Sequence, residues 1–519
     1  MSHPAFREDW DVVIVGTGIG GGTAGRALAE GGLRVLFLEQ GAAGFRREET
    51  HLDMTTPHRA ARLARGAYPD PMRLTLDGRR EQRFPYAGAG IGGSSLYYAA
   101  ALERPAPHDL DDSAARPHPT GGWPVPYAEF EPYFARAATL YRLSGTADPL
   151  SETAPLPLRS PPEMSRGEAS LLADLERAGL HPYRLNTAIE GGPDCRFCIG
   201  HKCPRPCKMD GRSAGVEPAL ATGRAVCITG AEVTRLDTDG ARITGLTLRH
   251  AGATHRLTPR RVILAGGAFG SPRLLLASRA EAAPEGIGNA EGQVGRHLMF
   301  HLNELVALWP RAQRDGDGPA RSLAFRDLYH DPADRFGLVQ SMGLRAGFGQ
   351  IAQFLDQALT RQGLGRLRRL TRPVAALGTK ALGRGYIFVG LLEDPGLPEN
   401  RVRFDPEDPG ALVVDYTIPE ALHARRRAFR RALRRRLKGT RHLLLTHWPE
   451  LNFGHACGTM RFGTDPRSSA LTPECRVHGI ANLWVADASF MPSAMGVNPS
   501  LTIAANALRV AEHVMEDRG

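Results

Sequence analysis

The first run of apolar positions, in Asp11-Val-Val-Ile-Val15, is short and unbroken, the pattern of a strand buried in a parallel sheet. Gly16, Gly18 and Gly21 follow at once. A glycine turn there lets backbone N–H groups approach a pyrophosphate at the positive end of the next helix. Residues 22–31 read as that helix and Arg34-Val-Leu-Phe-Leu38 as a second strand. Glu39 closes it, 23 residues after Gly16, where an acid would hold an adenosine ribose. Spacing alone does not separate FAD from NAD. The apolar pattern returns in Val262-Ile-Leu-Ala265, Ala411-Leu-Val-Val-Asp-Tyr416 and Asn482-Leu-Trp-Val-Ala-Asp-Ala-Ser489. A helical period appears late: Ala424, Ala428 and Ala432, with Phe429, Leu433 and Leu437, recur every four residues as an apolar stripe.

That last segment changes the meaning of the net charge. His423 to His442 carries nine Arg and one Lys with no acid, and the whole chain is at +10. The rest is near neutral, so the excess reads as the solvated face of one packed helix rather than a nucleic-acid groove; no aromatic-interleaved basic stretch appears. An acidic partner or a membrane surface is the other reading of this helix. Arg361 to Arg384 forms a second basic stretch, read as an exposed insertion.

At 519 residues and 42% hydrophobic, the chain can bury a large core spread over two to four domains. No run of 18 apolar residues predicts a membrane span. The first ten residues lack an apolar signal core, and the expected location is cytoplasmic.

Three further segments select among nucleotide enzymes. Gly88-Ala-Gly-Ile-Gly-Gly-Ser-Ser95, Gly267-Ala-Phe-Gly-Ser-Pro-Arg-Leu-Leu275 and Asn482 to Ser489 stand in that order, with His455-Ala-Cys-Gly-Thr upstream of the last and Asn498-Pro-Ser-Leu-Thr502 beyond it. Together with the glycine turn they resemble the GMC (glucose–methanol–choline) oxidoreductases, flavoenzymes that oxidise alcohols, along nearly the whole chain. The resemblance implies an α/β fold: a Rossmann-like FAD-binding domain from segments 1–105, 212–300 and 452–519, and a discontinuous α+β substrate-binding domain from 106–211 and 301–451. Gly122-Trp-Pro-Val-Pro-Tyr127 and a helix through Tyr133 and Phe134 match the latter. It also implies that Gly16, Gly18, Gly21, Glu39, Gly92, Gly93, Ser94, Val233, Asp487, Ala488, Asn498, Pro499 and Thr502 hold FAD. Many members have Asn at the position of Tyr98, and some a flavin-linking His at that of Tyr97; with Tyr at both, the expected FAD is noncovalent. A Tyr at that site occurs in the branch resembling aminoglycoside 6'-alcohol oxidases, which points toward sugar-like substrates.

Oxidising CH–OH requires a proton acceptor and a hydride acceptor. Histidine, with a reference pKa of about 6.5, suits the first task. The resemblance places His455 as that base and Asn498 as the group orienting the hydroxyl, whereas His478 falls in a structural turn. The substrate is a small-molecule alcohol and the electron acceptor O2 or an unknown redox partner. The alternatives are a dehydrogenase passing electrons through a metal cluster to a partner, and a flavin-containing non-redox lyase.

The cluster reading comes from Cys195, Cys198, Cys203 and Cys207, four of the seven cysteines. Such spacing can bring four sulfurs around zinc or an iron–sulfur centre, or can be a loop of disulfides or reduced thiols. Several GMC branches have a cysteine-rich loop, and in certain membrane-linked sugar dehydrogenases three cysteines in a related loop hold an iron–sulfur centre, although with different spacing. Cys227, Cys457 and Cys475 read as packed bystanders.

Overall fold

The structure, a computed structural model, describes residues 3–44, 58–191, 195, 200–205, 207–312, 322–345, 348–361, 363–382 and 385–517. The apolar runs form a five-stranded parallel sheet in the order Leu483–Val485, Val262–Leu264, Val12–Val15, Val35–Glu39, Ala225–Thr229. Val13 lies opposite Val262 on one side and Leu36 on the other. The first four of these strands are almost wholly apolar and buried, as expected where both faces of a parallel sheet are covered. The Ile19–Glu30 helix packs there against Ser500–Glu516, in which Leu501, Ala504, Ala505, Val510 and Val514 are fully buried. Both chain ends thus meet at the first glycine turn.

A second, antiparallel sheet runs in the order Arg441–Leu444, Met299–Trp309, Tyr386–Glu393, Phe336–Arg345, Leu323–Phe325, Tyr183–Arg184, and Glu450–Cys457 also pairs with Met299–Trp309. One face carries Leu302, Val306, Phe388 and Leu392 and is covered by Phe429 and Leu433 of the Glu420–Arg436 helix and by Leu437 at its C-cap. Gly390 lets that helix approach, since a Cβ there would stand 2.4 Å from the Phe429 ring. Burying Phe429 contributes about 2–3 kcal/mol. The two sheets, one of parallel Rossmann type and one antiparallel, make the α/β architecture that the resemblance implied.

Two expectations change. Ala411–Tyr416 supplies strand Val413–Tyr416, but in a separate four-stranded sheet, parallel to Met72–Leu76 and flanked by Arg401–Arg403 and Arg79–Arg83. Nor is the arginine helix simply a solvated face. Arg426 Nε donates to Glu304 Oε2 at 2.9 Å, Arg430 also pairs with Glu304, and both reach the Thr446 carbonyl. Glu304 is fully buried on the sheet, and a lone carboxylate there would be costly, so the helix turns two guanidinium groups inward. Arg431, Arg434, Arg435 and Arg436 remain exposed, as does Ala424 of the expected apolar stripe.

Among the described residues, no helix is long and apolar enough to cross a membrane.

Candidate active site

One cavity of about 570 Å³ runs from the glycine turn to the C-terminal motifs. Gly16, Gly18, Glu39, Gly93, Ser94, Val233, His455, Asp487, Ala488, Asn498 and Pro499 all line it. Gly21, Gly92 and Thr502 are not among its lining residues. Gly16 takes φ +102°, and a Cβ on Gly21 would meet the Gly16 carbonyl at 2.2 Å, so these two glycines close the turn on itself. Gly18, which has no atom within 4 Å of its would-be Cβ, is left open as the N-cap of a helix with no capping side chain and no acid in its first turn. A helix start of this kind leaves backbone N–H groups unbonded, a geometry that suits an anionic group such as a diphosphate. Gly92 donates its N–H to Thr17 Oγ1 at 3.2 Å, and Thr502 is fully buried with its Oγ1 3.7 Å from Met495 Sδ.

Glu39 ends its strand as expected, at the cavity edge. Its Oε2 accepts from Thr17 Oγ1 at 2.5 Å and its Oε1 from Gly41 N at 2.9 Å. Burial raises its pKa, and the hydrogen bonds from Thr17 and Gly41 oppose the rise. Thr17 therefore ties the acid to the loop at Gly92, a link the motif spacing did not reveal. Asp487 makes a similar bridge: Oδ2 accepts from Gly267 N at 2.8 Å and Ser271 Oγ at 2.5 Å, while Oδ1 accepts from Ser489 N and Oγ. It stitches the returning C-terminal turn to the helix Gly267–Ala277.

At the far end His455 comes from strand Glu450–Cys457 and Asn498 from the loop preceding the last helix. The Asn498 Oδ1 is buried with no hydrogen-bond partner. Behind His455 lies a residue that sequence reasoning missed. His301, on strand Met299–Trp309, has its Nδ1 2.9 Å from His455 Nδ1. Its Nε2 is 2.9 Å from the Met495 carbonyl, where Met495 holds φ +63°. A carbonyl only accepts, so His301 Nε2 carries the proton. Burial lowers the His301 pKa, so the ring is neutral and its Nδ1 is an acceptor. His455 Nδ1 must then donate, which leaves its Nε2 as the lone-pair nitrogen. The only available signal for His301 was a polar residue at a buried strand position.

The loop carrying Asn498 is fixed from below. Asp109 Oδ2 accepts from Tyr329 OH at 2.7 Å and Gly496 N at 3.2 Å, and Trp123 Nε1 donates to Ser493 Oγ at 2.8 Å. His478 is placed elsewhere, with its Nε2 3.0 Å from Ser469 Oγ, in keeping with a structural role. Tyr97 and Tyr98 line the cavity, and their hydroxyls donate to the Arg65 and Met209 carbonyls.

The iron–sulfur or zinc centre finds no support. Among the described residues, no group of three or more His, Cys, Asp or Glu is placed to hold a metal ion. Cys203 and Cys207 have their sulfurs 3.2 Å apart, and Cys198 lies outside the described residues. Burial opposes ionisation of Cys203, but hydrogen bonds from Cys207 and the Lys208 and Arg205 amides outweigh it and lower its pKa. Its donors are local, not a shared centre with Cys195. Cys227 and Cys475 behave as bystanders, with burial first among the causes that push them up to about 12 and about 11.

A glycine-rich cavity continuous with a hydrogen-bonded histidine pair and a buried, unpartnered carboxamide oxygen suits a cofactor-dependent oxidoreductase. Family models described as GMC oxidoreductase match residues 11–303 and 398–507, and the chain belongs to that family. It is similar to paromamine 6'-oxidase of Streptomyces fradiae, with 30% identity covering 98% of this chain and 93% of that one. It is also similar to 2-methyl-1,2-propanediol dehydrogenase of Mycolicibacterium austroafricanum, at 27% identity over 98% and 95%. Among solved structures, pyridoxine 4-oxidase from Mesorbium loti shares the fold, with a TM-score of 0.64 and 20% identity over 98% and 100%.

Proposed function

We propose that this protein oxidises a CH–OH group of a sugar-like small molecule to a carbonyl, with noncovalent FAD in the cavity and His455 as the proton acceptor. The observation that carries the reading is the His301–His455 pair at the end of a cavity that begins at the glycine turn and Glu39. The residues fit FAD: the open helix start at Gly18 suits its diphosphate, Glu39 its ribose, and Asn498 brings an unsatisfied oxygen to the opposite end. When bound, FAD supplies the hydride acceptor.

The chain's own part is positional and electrostatic. His455 Nε2 takes the hydroxyl proton, and its Nδ1–H bond to His301 persists and strengthens as the ring becomes cationic. The Asn498 carboxamide donates an Nδ2–H to the alcohol oxygen and fixes the direction of its carbon-bound hydrogen. Tyr97 and Tyr98 offer no imidazole for a covalent link to the flavin. The sugar-like substrate class rests on likeness to the paromamine oxidase. The acceptor is O2 or another oxidant, since the named relatives include both oxidases and dehydrogenases.

The test has two arms. Acid precipitation should release free FAD into solution. Anaerobic mixing with a panel of amino-sugar and polyol alcohols should then bleach the flavin, and oxygen uptake would separate oxidase from dehydrogenase. Flavin retained in the pellet would overturn the noncovalent assignment, and flavin unbleached by every alcohol would overturn the reaction class.

A further inference from the structure

The proposed reaction makes no use of the segment between strands Phe336–Arg345 and Tyr386–Glu393. It folds as helix Phe348–Arg361, a turn of 3-10 helix at Gly365–Leu370 and helix Thr371–Leu382. The hairpin is anchored from inside: Ile351 packs with Ala307, Ile387 and Met342 on the face of the antiparallel sheet opposite the arginine helix. Thr371 and Ala375 are buried, and the would-be Cβ of Gly378 lies 3.3 Å from Ile351.

Beside this buried line runs a second apolar line that faces outward. Leu367, Leu370, Val374 and Leu377 recur at spacings of three and four, which puts them along one side of the segment. Leu370 is 55%, Val374 50% and Leu377 70% exposed, and Leu364 extends the line. Exposed large aliphatic side chains in such a row mark an interaction surface. The charged residues from 363 to 380 are all basic. Arg366, Arg368, Arg369, Arg372 and Lys380 lie between residues 363 and 380, which include no acid. Arg366, Arg369, Arg372 and Lys380 have no ion-pair partner among the described residues.

Aliphatic and cationic sides on one helix match the two layers of an anionic bilayer surface: acyl chains below and phosphate groups above. A protein hot spot would show aromatic anchors, which this line lacks. At about 1.5 Å per residue the 12-residue helix spans roughly 18 Å, too short to cross a bilayer but suited to lying in its interface.

We propose that the 348–382 hairpin docks this enzyme on anionic lipid surfaces, with Leu367, Leu370, Val374 and Leu377 entering the interface and the flanking cations contacting lipid phosphates. The experiment is co-sedimentation of the intact, cofactor-loaded protein with phosphatidylcholine–phosphatidylglycerol vesicles, against pure phosphatidylcholine. Binding is expected to the anionic vesicles alone and to weaken at least tenfold at about 0.5 M salt, as a phosphate contact must. The double variant Leu370→Glu/Leu377→Glu should lose about tenfold or more in partitioning, through lost apolar burial and added repulsion, with turnover unchanged. Arg369→Gln/Arg372→Gln should lose less, whereas Arg431→Gln/Arg434→Gln, on the other basic helix, should bind as the parent does.

No sedimentation with anionic vesicles would overturn the proposal. So would equal binding by the Leu370→Glu/Leu377→Glu variant, which would assign the affinity elsewhere. A parent dimer in sedimentation equilibrium that becomes monomeric in that variant would show that a second copy covers the stripe, and would also overturn it. None of these outcomes bears on alcohol oxidation, because no residue changed here touches the cavity.

Discussion

Replacing His301 with Phe should slow flavin reduction by roughly ten- to hundredfold while leaving FAD bound, the scale at which residues orienting a functional histidine act. The magnitude follows from the hydrogen bond between the two rings, 2.9 Å from Nδ1 to Nδ1. In the resting enzyme both partners are neutral, and such a bond contributes about 1 kcal/mol; once His455 takes the substrate proton, the donor is charged and the bond contributes about 2–3 kcal/mol. The difference, about 1–2 kcal/mol, acts only as positive charge develops, which is about five- to thirtyfold in rate. Loss of tautomer control adds to it, since without an acceptor at Nδ1 the proton of His455 can occupy Nε2 and block the base. The same difference should move the acid limb of the pH–rate profile down by about one unit. A change of fold alone would not do that. The assay is anaerobic stopped-flow reduction across pH, with the alcohol protiated or deuterated at carbon. His301→Asn, which keeps an acceptor near the Nδ1 position, should recover part of the rate. The double variant His301→Phe/His455→Ala should be no slower than His455→Ala, because His301 acts through His455. Wild-type rates in His301→Phe, or additive losses in the double variant, would refute the reasoning.

His455→Ala should retain FAD yet reduce it about two to four orders of magnitude more slowly, whereas Asn498→Ala should lose less, since orientation is removed but the proton acceptor stays; His478→Ala is the control, and equal rates for all three would sink the assignment. Metal analysis of anaerobically purified protein should find neither iron nor zinc in stoichiometric amount, and thiol titration should find Cys203 and Cys207 reactive; a brown chromophore with acid-labile sulfide would restore the cluster. Asp394, buried beside Tyr416 and the Phe300 amide, is raised chiefly by burial from 3.8 to about 6. The folded protein thus holds this proton more tightly than the unfolded chain, so the contribution is in place at low pH and is lost as pH rises from the ordinary carboxylate range through about 6, at a cost of roughly 3 kcal/mol. Asp394→Asn should flatten the fall in urea midpoint between those limits, and an unchanged slope would show that other groups carry it.

The cradle was legible because its parts are local: the turn, the helix start and Glu39 lie within 24 residues, and glycine at each tight position has a steric reason that spacing alone exposes. His455 and Asn498 were legible through the resemblance, not through any local pattern. His301 was not legible by either route. It stands 154 positions from His455 in a strand that is buried along most of its length, where a histidine ordinarily reads as core. What gives it a role is the pairing of two strands distant in sequence, Met299–Trp309 and Glu450–Cys457, and a left-handed Met495 whose carbonyl takes its second nitrogen. The arginine helix shows the same limit from the other side. Its charges could be counted, but which of them turned inward was decided by Glu304, a single acid on another strand. In both cases a buried polar group on the antiparallel sheet dictates the orientation of a side chain distant in sequence. The cavity end therefore depends on that sheet as much as on the glycine turn. Substitutions at His301 should alter chemistry without altering cofactor content, and substitutions at Gly16 or Gly21 should do the reverse.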